Sequence, residues 1–219
     1  MLDFDFMRQC VPMFAKALSL TLYISFFGIL LSLIIGFISA WILFLKVRFL
    51  SPIVAIYVEL ARNTPLLIQL FFLYYGLHSI IGINLNEYVC AITGLAFLGG
   101  GYMCESFRTG LESISSSQIE SAQSIGLQSH QMMFYIILPQ SLSVALPSVG
   151  ENVIFLLKET SVVSVIALAD IMFVTKDIIT HYYKTNEALT LLVLSYLIVL
   201  LPLSLVFSLL ERSYKKRVL

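Results

Sequence analysis

Four long stretches of this chain contain no charged residue, and they limit what it can fold into more than any other feature. They cover residues 17–45, 63–86, 88–104 and 188–210. A helix needs about 20 predominantly apolar residues to cross the hydrocarbon core of a bilayer, and these stretches approach or exceed that length. A cleaved signal peptide has a basic lead, whereas the first stretch follows Asp3 and Asp5. We therefore interpret the first stretch as a retained membrane span.

The composition supports a membrane protein and disfavours several other classes. Charged residues make up 12% of the chain, about half their usual share in soluble domains. The formal net charge is zero, so there is no basic footprint that would indicate nucleic acid as a partner. The sequence has no GxxxxGK segment for ATP, and its histidines and cysteines lack metal-ligand or catalytic spacing. We predict no metal site and no enzyme activity; an intramembrane enzyme is the least supported hypothesis.

A fifth span is needed to explain where the basic residues fall. Lys and Arg residues follow the first, third and last apolar stretches, and they share one side of the membrane only if two spans follow Arg108. The best candidate for the extra span, about 148–169, lies in a region that we expect Pro147 and Gly150 to interrupt. The sequence therefore predicts an all-α polytopic membrane protein with five transmembrane helices and its N-terminus outside. We predict one domain, 1–219, with spans at roughly 17–45, 58–82, 88–108, 148–169 and 188–210.

A polar segment between the third and fourth spans has the chemistry of a short capped helix. Ser117 is a suitable N-cap, and Glu120 three residues later completes a capping box. Gly126 stands where a glycine would end the helix. About eight helical residues are too few to be stable alone in water, so this helix needs a surface to dock on. Its apolar stripe consists of Ile119, Ala122 and Ile125. The alternative is an ordinary loop helix.

The same segment resembles the EAA motif of permease subunits in bacterial ABC importers. Glu120-Ser121-Ala122 is followed by three residues, Gly126, nine residues and then Ile136-Ile137-Leu138-Pro139. The motif departs from the family at Ser121, where alanine is usual. The resemblance implies a MetI-like permease fold in which loop 109–139 is cytoplasmic and its helix couples to an ATPase. The residues that it assigns to coupling are Ser117, Ile119, Glu120, Ser121, Ala122, Ile125 and Gly126.

A second motif opens the second span. Glu59-x-x-Arg62-Asn63-Thr64-Pro65-Leu66 resembles the E-x-x-R-[GN]-T-P-L segment of the polar amino-acid branch, the histidine and glutamine type. Glu59 and Arg62 are three residues apart and are expected to pair on one helix face. We expect Pro65 at the first helical position. The resemblance places Asn63, Thr64 and Gln69 in the substrate pathway; the alternative is a capped helix start with a surface ion pair.

Glu105 and Arg108 form a similar pair near the inner end of the third span. Their three-residue spacing favours a structural ion pair at a helix end over a role in transport. Small residues before this pair allow neighbouring helices to approach closely, and we interpret them as a packing face. They are Ala91, Gly94, Ala96, Gly99, Gly100 and Gly101.

Charged residues also occur within the predicted fourth span. Lys158-Glu159-Thr160-Ser161, with Asn152 about two turns earlier, resembles the K-[DE]-T-S segment of amino-acid permeases. A charge at membrane depth is costly unless it is paired or faces a wet cavity, so we assign all five residues to the substrate pathway. Neighbours on a helix point about 100° apart, so Lys158 and Glu159 cannot both face one cavity centre. A structural ion pair at a subunit interface is the alternative.

Together these motifs resemble the permease subunit of an ABC importer that moves a polar amino acid across the bacterial inner membrane. The resemblance implies four kinds of partner: a separate ATPase that holds ATP and Mg²⁺, a second identical or homologous permease, an external amino-acid-binding protein and the bilayer. The chain itself is expected to bind no cofactor. An amphipathic stretch, 170–187, is expected on the outer face. The alternative function is an ion-coupled secondary transporter or channel that uses Lys158 and Glu159 without an ATPase.

Overall fold

A computed structural model describes residues 2–218, and every regular element in that range is helical. The α-helices in this range are α1 (Phe4–Phe44), α2 (Leu50–Asn63), α3 (Leu66–Phe71), α4 (Leu77–Ile81), α5 (Glu87–Glu112), α6 (Ser116–Ser124), α7 (Ser129–Met132), α8 (Leu138–Glu159), α9 (Ile171–Tyr182) and α10 (Thr185–Val218). π-helical turns at Phe72–Gly76 and Met133–Ile137 join α3 to α4 and α7 to α8, and a 3₁₀ turn, Thr160–Ile166, extends α8. The all-α prediction is confirmed.

Four helical segments within residues 2–218 are long and apolar enough to cross a membrane. They are Phe4–Phe44, Glu87–Glu112, Ser129–Ile166 and Thr185–Tyr214. A fifth crossing arises if Leu50–Asn63 and Leu66–Ile81 form one span, although they meet at an angle of 105°. The second predicted span is therefore not one straight helix. Pro65 has no N–H to donate, and its ring disfavours helical geometry at Thr64, so α2 ends there.

Helix α1 is longer than the charge-free stretch inside it. It begins at Phe4, where the Asp3 carboxylate caps the helix by accepting a hydrogen bond from the Phe6 N–H at 3.0 Å. The early turns of α1 bury Met7 and Phe14 against α9 and α10. The helix therefore extends well before the first apolar stretch, because a buried face can continue through residues whose opposite face is charged.

Helix α5 lies at the centre of the bundle and packs against both α1 and α8. Its glycines are buried, as the packing-face prediction requires. A Cβ atom added to Gly101 would lie 2.9 Å from the Ala61 Cβ, so α2 approaches α5 more closely than a larger side chain permits. The Ser32 hydroxyl of α1 donates to the Leu95 carbonyl of α5 at 3.1 Å, which adds a polar contact to the apolar interface between α1 and α5.

Helix α8 contradicts the expectation that Pro147 and Gly150 interrupt the chain. It runs without a break from Leu138 to Glu159, with Pro147 inside it. Close packing accounts for the glycine at position 150, because the ring of Phe207 on α10 lies directly over it. A Cβ atom at Gly150 would stand 2.8 Å from that ring. Gly150 therefore leaves room for close contact with α10. The fourth candidate span starts earlier than residue 148.

The bundle has two ends that carry different features. At one end, the ends of α1 and α5 pack with the Met133–Ile137 turn around a small apolar cluster that includes Leu111 and Ile137. We call this the α6 end, because α6 follows α5 there. At the other end, the start of α1 packs with α9 and the start of α10. We call this the α9 end.

Candidate functional site

The short polar helix predicted from the sequence is present as α6, but it begins earlier than expected. Its N-cap is Ser115, whose hydroxyl accepts from the Gln118 N–H at 3.4 Å. The predicted Ser117–Glu120 capping box is wrong, since the Ser117 hydroxyl instead shares a hydrogen bond with the Ser115 hydroxyl at 3.0 Å. With Ser115 as the cap, Ile114 and Ile119 occupy the two positions of a hydrophobic staple, which Ser117 would not achieve.

The end of α6 follows the sequence prediction. Gly126 adopts a φ of +82°, in the left-handed region that favours glycine. The Gly126 N–H donates to the Gln123 carbonyl at 2.9 Å, and the Leu127 N–H donates to the Ala122 carbonyl at 3.1 Å. These two bonds form a Schellman motif, which satisfies carbonyls left open at the end of a helix. The prediction that Gly126 terminates the helix is confirmed.

The predicted apolar stripe of α6 is divided between two environments. Ala122 is only 3% exposed and packs within this chain, whereas Ile125 is 77% exposed. Beside α6 lies a groove of about 420 Å³ that faces the Met133–Ile137 turn and the start of α8. It is lined by Ser117, Gln118, Ser121, Ala122, Ile125, Ile136 and Gln140. The exposed side of α6 is therefore mostly polar, with Ile125 as its one large apolar side chain.

A second site forms at the bend between α2 and α3. A pocket of about 340 Å³ lies there, bounded by α5 and the end of α8. Its polar and aromatic lining consists of Arg62, Asn63, Thr64, Tyr102, Phe155 and Glu159. The structure thus brings together three of the predicted pathway residues, Asn63, Thr64 and Glu159, from two distant segments. It adds Arg62 and Tyr102, which we did not assign to the pathway from the sequence.

Gln69 holds the bend and does not line this pocket. Its side-chain amide donates to the carbonyls of Ala61 at 3.1 Å and Thr64 at 3.0 Å, and both belong to the end of α2. Its Oε1 atom is buried and has no partner within residues 2–218. Gln69 faces a separate cavity of about 300 Å³, which it shares with Phe72, Leu73, Thr93 and Phe97.

The other predicted pathway residues point elsewhere. Lys158 is exposed and outside the pocket lining, so the pocket receives Glu159 from this pair. Thr160 is fully buried, and its hydroxyl donates to the Leu157 carbonyl at 2.6 Å. Asn152 donates to the Ser106 hydroxyl at 2.8 Å and so connects α8 to α5. Ser161 is half-buried in the 3₁₀ turn.

A chain of charged residues runs from the pocket toward the α6 end along α5. Arg62 lies 3.6 Å from Glu105, which is bound by Arg108 at 2.6 Å, and Arg108 also contacts Glu112 at 2.9 Å. The predicted Glu105–Arg108 pair is confirmed. The predicted Glu59–Arg62 pair is wrong, because Glu59 accepts from the Asn63 amide at 2.8 Å while Arg62 turns to α5. The guanidinium of Arg62 also lies over the Tyr102 ring, 5.7 Å from its centroid.

A buried carboxylate at the α9 end was not singled out from the sequence. Asp170 is fully buried and caps α9 by accepting from the Phe173 N–H at 2.8 Å. Burial raises the pKa of Asp170 to about 6, against the opposing effects of backbone hydrogen bonds and Lys176. Its Oδ2 atom has no partner within the described part of the chain. An Asp before an apolar run can be recognised from the sequence as an N-cap signal, whereas the burial of its carboxylate cannot.

An ion pair joins the two segments that meet at this end. Lys184 lies 2.9 Å from the Asp3 carboxylate, and the Asp3 N–H donates to Glu187 at 3.0 Å. The hydrogen bond from Lys184 is the main cause that lowers the pKa of Asp3, and the same bond raises the pKa of Lys184. The contact ties the start of α1 to the start of α10.

Comparison with known proteins identifies the family. Residues 28–219 match the model of the "Binding-protein-dependent transport system inner membrane component". The chain belongs to this family. The permease is 34% identical over 196 residues to the probable amino-acid ABC transporter permease protein PatM of Vibrio harveyi, covering 89% of this chain and 88% of that protein. It is 41% identical over 152 residues to the probable glutamine ABC transporter permease protein GlnP of Bacillus subtilis, covering 69% of each.

A solved structure gives the same answer for the fold. The permease superposes on a chain from a crystal structure of an amino acid ABC transporter with histidines with a TM-score of 0.90 and 30% identity. The match covers 97% of this chain and 99% of that chain. The predicted ABC-importer permease fold is therefore confirmed. The protein is a multi-pass inner-membrane subunit of an ABC importer, a family that transports solutes.

Proposed function

We propose that the permease carries a polar amino acid through the pocket at the α2–α3 bend. The observation that supports this most directly is the presence of Arg62 and Glu159 in one lining, together with Asn63 and Thr64 at the end of α2. An amino acid carries an ammonium and a carboxylate, and the pocket offers a partner of opposite charge for each. A charge-assisted hydrogen bond is about twice as strong as a neutral one, so the pair selects for a zwitterion.

We further propose that α6 is the segment through which a separate ATPase drives the permease. ATP and Mg²⁺ belong to that ATPase, and the chain binds no cofactor of its own. The partners in the assembly are the ATPase, a second permease chain and an external binding protein that delivers the amino acid. The exposed polar side of α6 and the groove beside it provide the docking surface, with Ile125 as its apolar contact.

The connection from α6 to the pocket is helical from Ser129 onward. After Gly126, the chain enters α7 at Ser129 and then continues helically through the Met133–Ile137 turn and α8 to Glu159. The π-helical turn precedes Pro139, which lacks an N–H and clashes with the carbonyl four residues back in a regular helix. Displacement of α6 by the ATPase therefore moves the helix that carries Glu159 relative to Arg62, and this changes the pocket.

For orientation, we propose five spans with the α6 end in the cytoplasm and the N-terminus outside. Lys46, Arg48 and Arg108 all lie at or near the α6 end, together with Arg212 on α10. Positive residues favour the cytoplasmic side of a bilayer. The α9 end then faces the external binding protein.

The test is uptake of labelled glutamine, histidine or arginine into proteoliposomes that contain the permease, its ATPase and the binding protein. We expect uptake only when ATP is supplied on the side of the vesicle membrane where the ATPase is bound. Uptake under an ion gradient without the ATPase would support the secondary transporter or channel instead. We expect Glu159→Gln to reduce uptake while the ATPase still co-purifies, and Lys158→Gln, its neighbour outside the pocket, to have a much smaller effect. Equal effects of the two variants would contradict the pocket.

A further inference from the structure

Arg62 lies in the lining of the pocket at the α2–α3 bend, yet its guanidinium is bound to a carboxylate that lies outside that lining. The Arg62 Nη1 atom is 3.6 Å from the Glu105 Oε1 atom on α5. The proposed function assigns the same guanidinium to the carboxylate of an amino acid. Glu105 and the substrate carboxylate therefore compete for one cation.

Glu105 keeps a cationic partner when Arg62 turns away. Its Oε2 atom is 2.6 Å from the Arg108 Nη2 atom, one turn further along α5, which is as short as a charge-assisted hydrogen bond. The Arg62 contact, at 3.6 Å, is too long for a hydrogen bond and is an ion pair only. Loss of Arg62 therefore leaves Glu105 with the stronger of its two contacts, so the exchange costs little.

The side chain of Arg62 is placed so that it can turn between two anions. It is 37% exposed, and its guanidinium lies over the Tyr102 ring, 5.7 Å from the centroid. Tyr102 also lines the pocket. An aromatic face attracts the charge of a guanidinium whichever way its N–H groups point. The ring therefore supports the cation both beside Glu105 and beside a ligand in the pocket.

Glu105, in contrast, stands on a fixed part of the bundle. Asn152 of α8 donates to the Ser106 hydroxyl at 2.8 Å and to the Tyr102 carbonyl at 3.4 Å. These bonds join α8 to the turn of α5 that carries Glu105. The group that moves in the exchange is therefore Arg62, at the end of α2.

We propose that Glu105 is a positioning residue that sets the specificity of the pocket through Arg62. A solute gains the Arg62 guanidinium only if it has a carboxylate that displaces Glu105. A solute without a carboxylate leaves Arg62 bound to α5 and gains nothing from it. The inference rests on the proposed function, because it takes the pocket at the α2–α3 bend as the amino-acid site. It adds the requirement that the substrate has a free carboxylate.

The test is equilibrium binding of amino acids to the purified complex of permease and ATPase in detergent. The probes are labelled glutamine, histidine and arginine, and each is compared with its own α-amide, which lacks the carboxylate. We expect Glu105→Gln to lower the Kd of the amino acid that binds best by about two- to fivefold, the range typical of partly exposed ion pairs. The Kd of the corresponding amide should not fall.

Arg108→Gln should have the opposite effect and tests the inference independently if Glu105→Gln does not assemble. Without Arg108, Glu105 has Arg62 as its remaining cationic partner, so the Kd of the amino acid should rise by a similar factor. A general loss of structure cannot both lower and raise the Kd. The matched control is Glu112→Gln, which removes the other carboxylate bound to Arg108, two turns of α5 beyond Glu105. It should change the Kd by less than about twofold.

A double mutant separates exchange at Arg62 from the electric field of the Glu105 charge. In Arg62→Gln, the further change Glu105→Gln should no longer alter the Kd. The inference is overturned if Glu105→Gln does not lower the Kd, if its effect persists in Arg62→Gln, or if the Kd of the amide falls equally. The proposed function fails separately. It is contradicted if none of the three amino acids binds saturably, or if neither Arg62→Gln nor Glu159→Gln weakens binding.

Discussion

Arg62 lies 3.6 Å from Glu105 on the neighbouring helix, although Glu59 stands one turn away on its own helix. This contact joins the pocket at the α2–α3 bend to the charged residues that follow α5 toward α6. Arg108 holds Glu105 from the other side at 2.6 Å. The carboxylate of Glu105 is thus shared by two guanidinium groups, and Arg62 has the longer and weaker of the two contacts.

A double-mutant cycle should detect this arrangement. We expect a coupling free energy of about 0.5–1 kcal/mol between Arg62→Gln and Glu105→Gln, because both side chains are partly exposed. The corresponding cycle with Glu59→Gln should give a value near zero. The measurement is thermal unfolding of the purified permease in detergent. A larger coupling for Glu59 than for Glu105 would show that the pair on one helix is the real one.

Replacing Gly126 should weaken coupling to the ATPase. An added Cβ atom meets nothing within 4 Å, so Gly126→Ala acts only through its φ of +82°, with a cost of about 1–2 kcal/mol. The end of α6 should fray, and uptake per ATP hydrolysed should fall. Gly126→Asp adds a charge at the same position and should reduce coupling further.

Gly82 provides the matched control for this experiment. It has a φ of +71° and also has open space around an added Cβ atom, but it lies in the loop after α4. Gly82→Ala should therefore impose a similar backbone strain without changing the ratio of uptake to hydrolysis. If the two variants change that ratio equally, the role of the α6 end is disproved.

Removing the Gln69 amide should loosen the bend that forms one wall of the pocket. Gln69→Leu leaves the Ala61 and Thr64 carbonyls without their donor, which should lower the free energy of unfolding by about 1–3 kcal/mol. Thermal unfolding in detergent gives the stability, and uptake should fall as well. Gln9→Leu, at an exposed position on α1, should change neither quantity. An unchanged unfolding temperature of Gln69→Leu would show that Gln69 does not hold the bend between α2 and α3.

The buried carboxylate of Asp170 should make stability depend on pH. Its pKa is raised to about 6 in the folded protein, from 3.8 for an ordinary Asp, so the folded state binds more protons between these values. Stability should therefore fall as pH rises from about 4 to about 6 and then level off. In Asp170→Asn, this part of the pH dependence should be absent from unfolding curves recorded between pH 4 and pH 7.

Asp3 offers a control with the opposite sign. The hydrogen bond from Lys184 lowers the pKa of Asp3, so its contribution to stability is present at neutral pH and is lost as pH falls through the acid range. In Asp3→Asn, the decrease in stability as pH falls through the acid range should be smaller. In Asp170→Asn, the decrease in stability as pH rises from about 4 to about 6 should be absent. Parallel curves for wild type and Asp170→Asn would contradict the assignment.

Local chemistry explains which parts of α6 were predictable. The left-handed backbone conformation at the end of α6 favours a residue without a Cβ atom, and Gly126 is that residue. The N-cap was missed because Ser115, Ser116 and Ser117 have the same side chain. The packing of Ile114 against the apolar cluster at the α6 end distinguishes them, and that cluster draws on distant parts of the chain.

The pocket shows the same division at a larger scale. Both motifs that contribute to it, around Asn63 and around Glu159, could be recognised from their residues. Their meeting depends on the 105° bend between α2 and α3 and on the packing of both segments against α5. Arg62 was assigned to the nearest carboxylate in sequence, because spacing on one helix reveals nothing about a second helix.

By itself, the sequence determined that this chain is a helical membrane protein and that Gly126 ends a short polar helix. It also determined which family its motifs resemble. These properties depend on residue composition and on contacts within a few residues. Only the tertiary structure decided that Glu159 faces the pocket while Lys158 does not, that Arg62 binds Glu105, and that α8 continues through Pro147. Those outcomes depend on the packing of helices that are far apart in the chain.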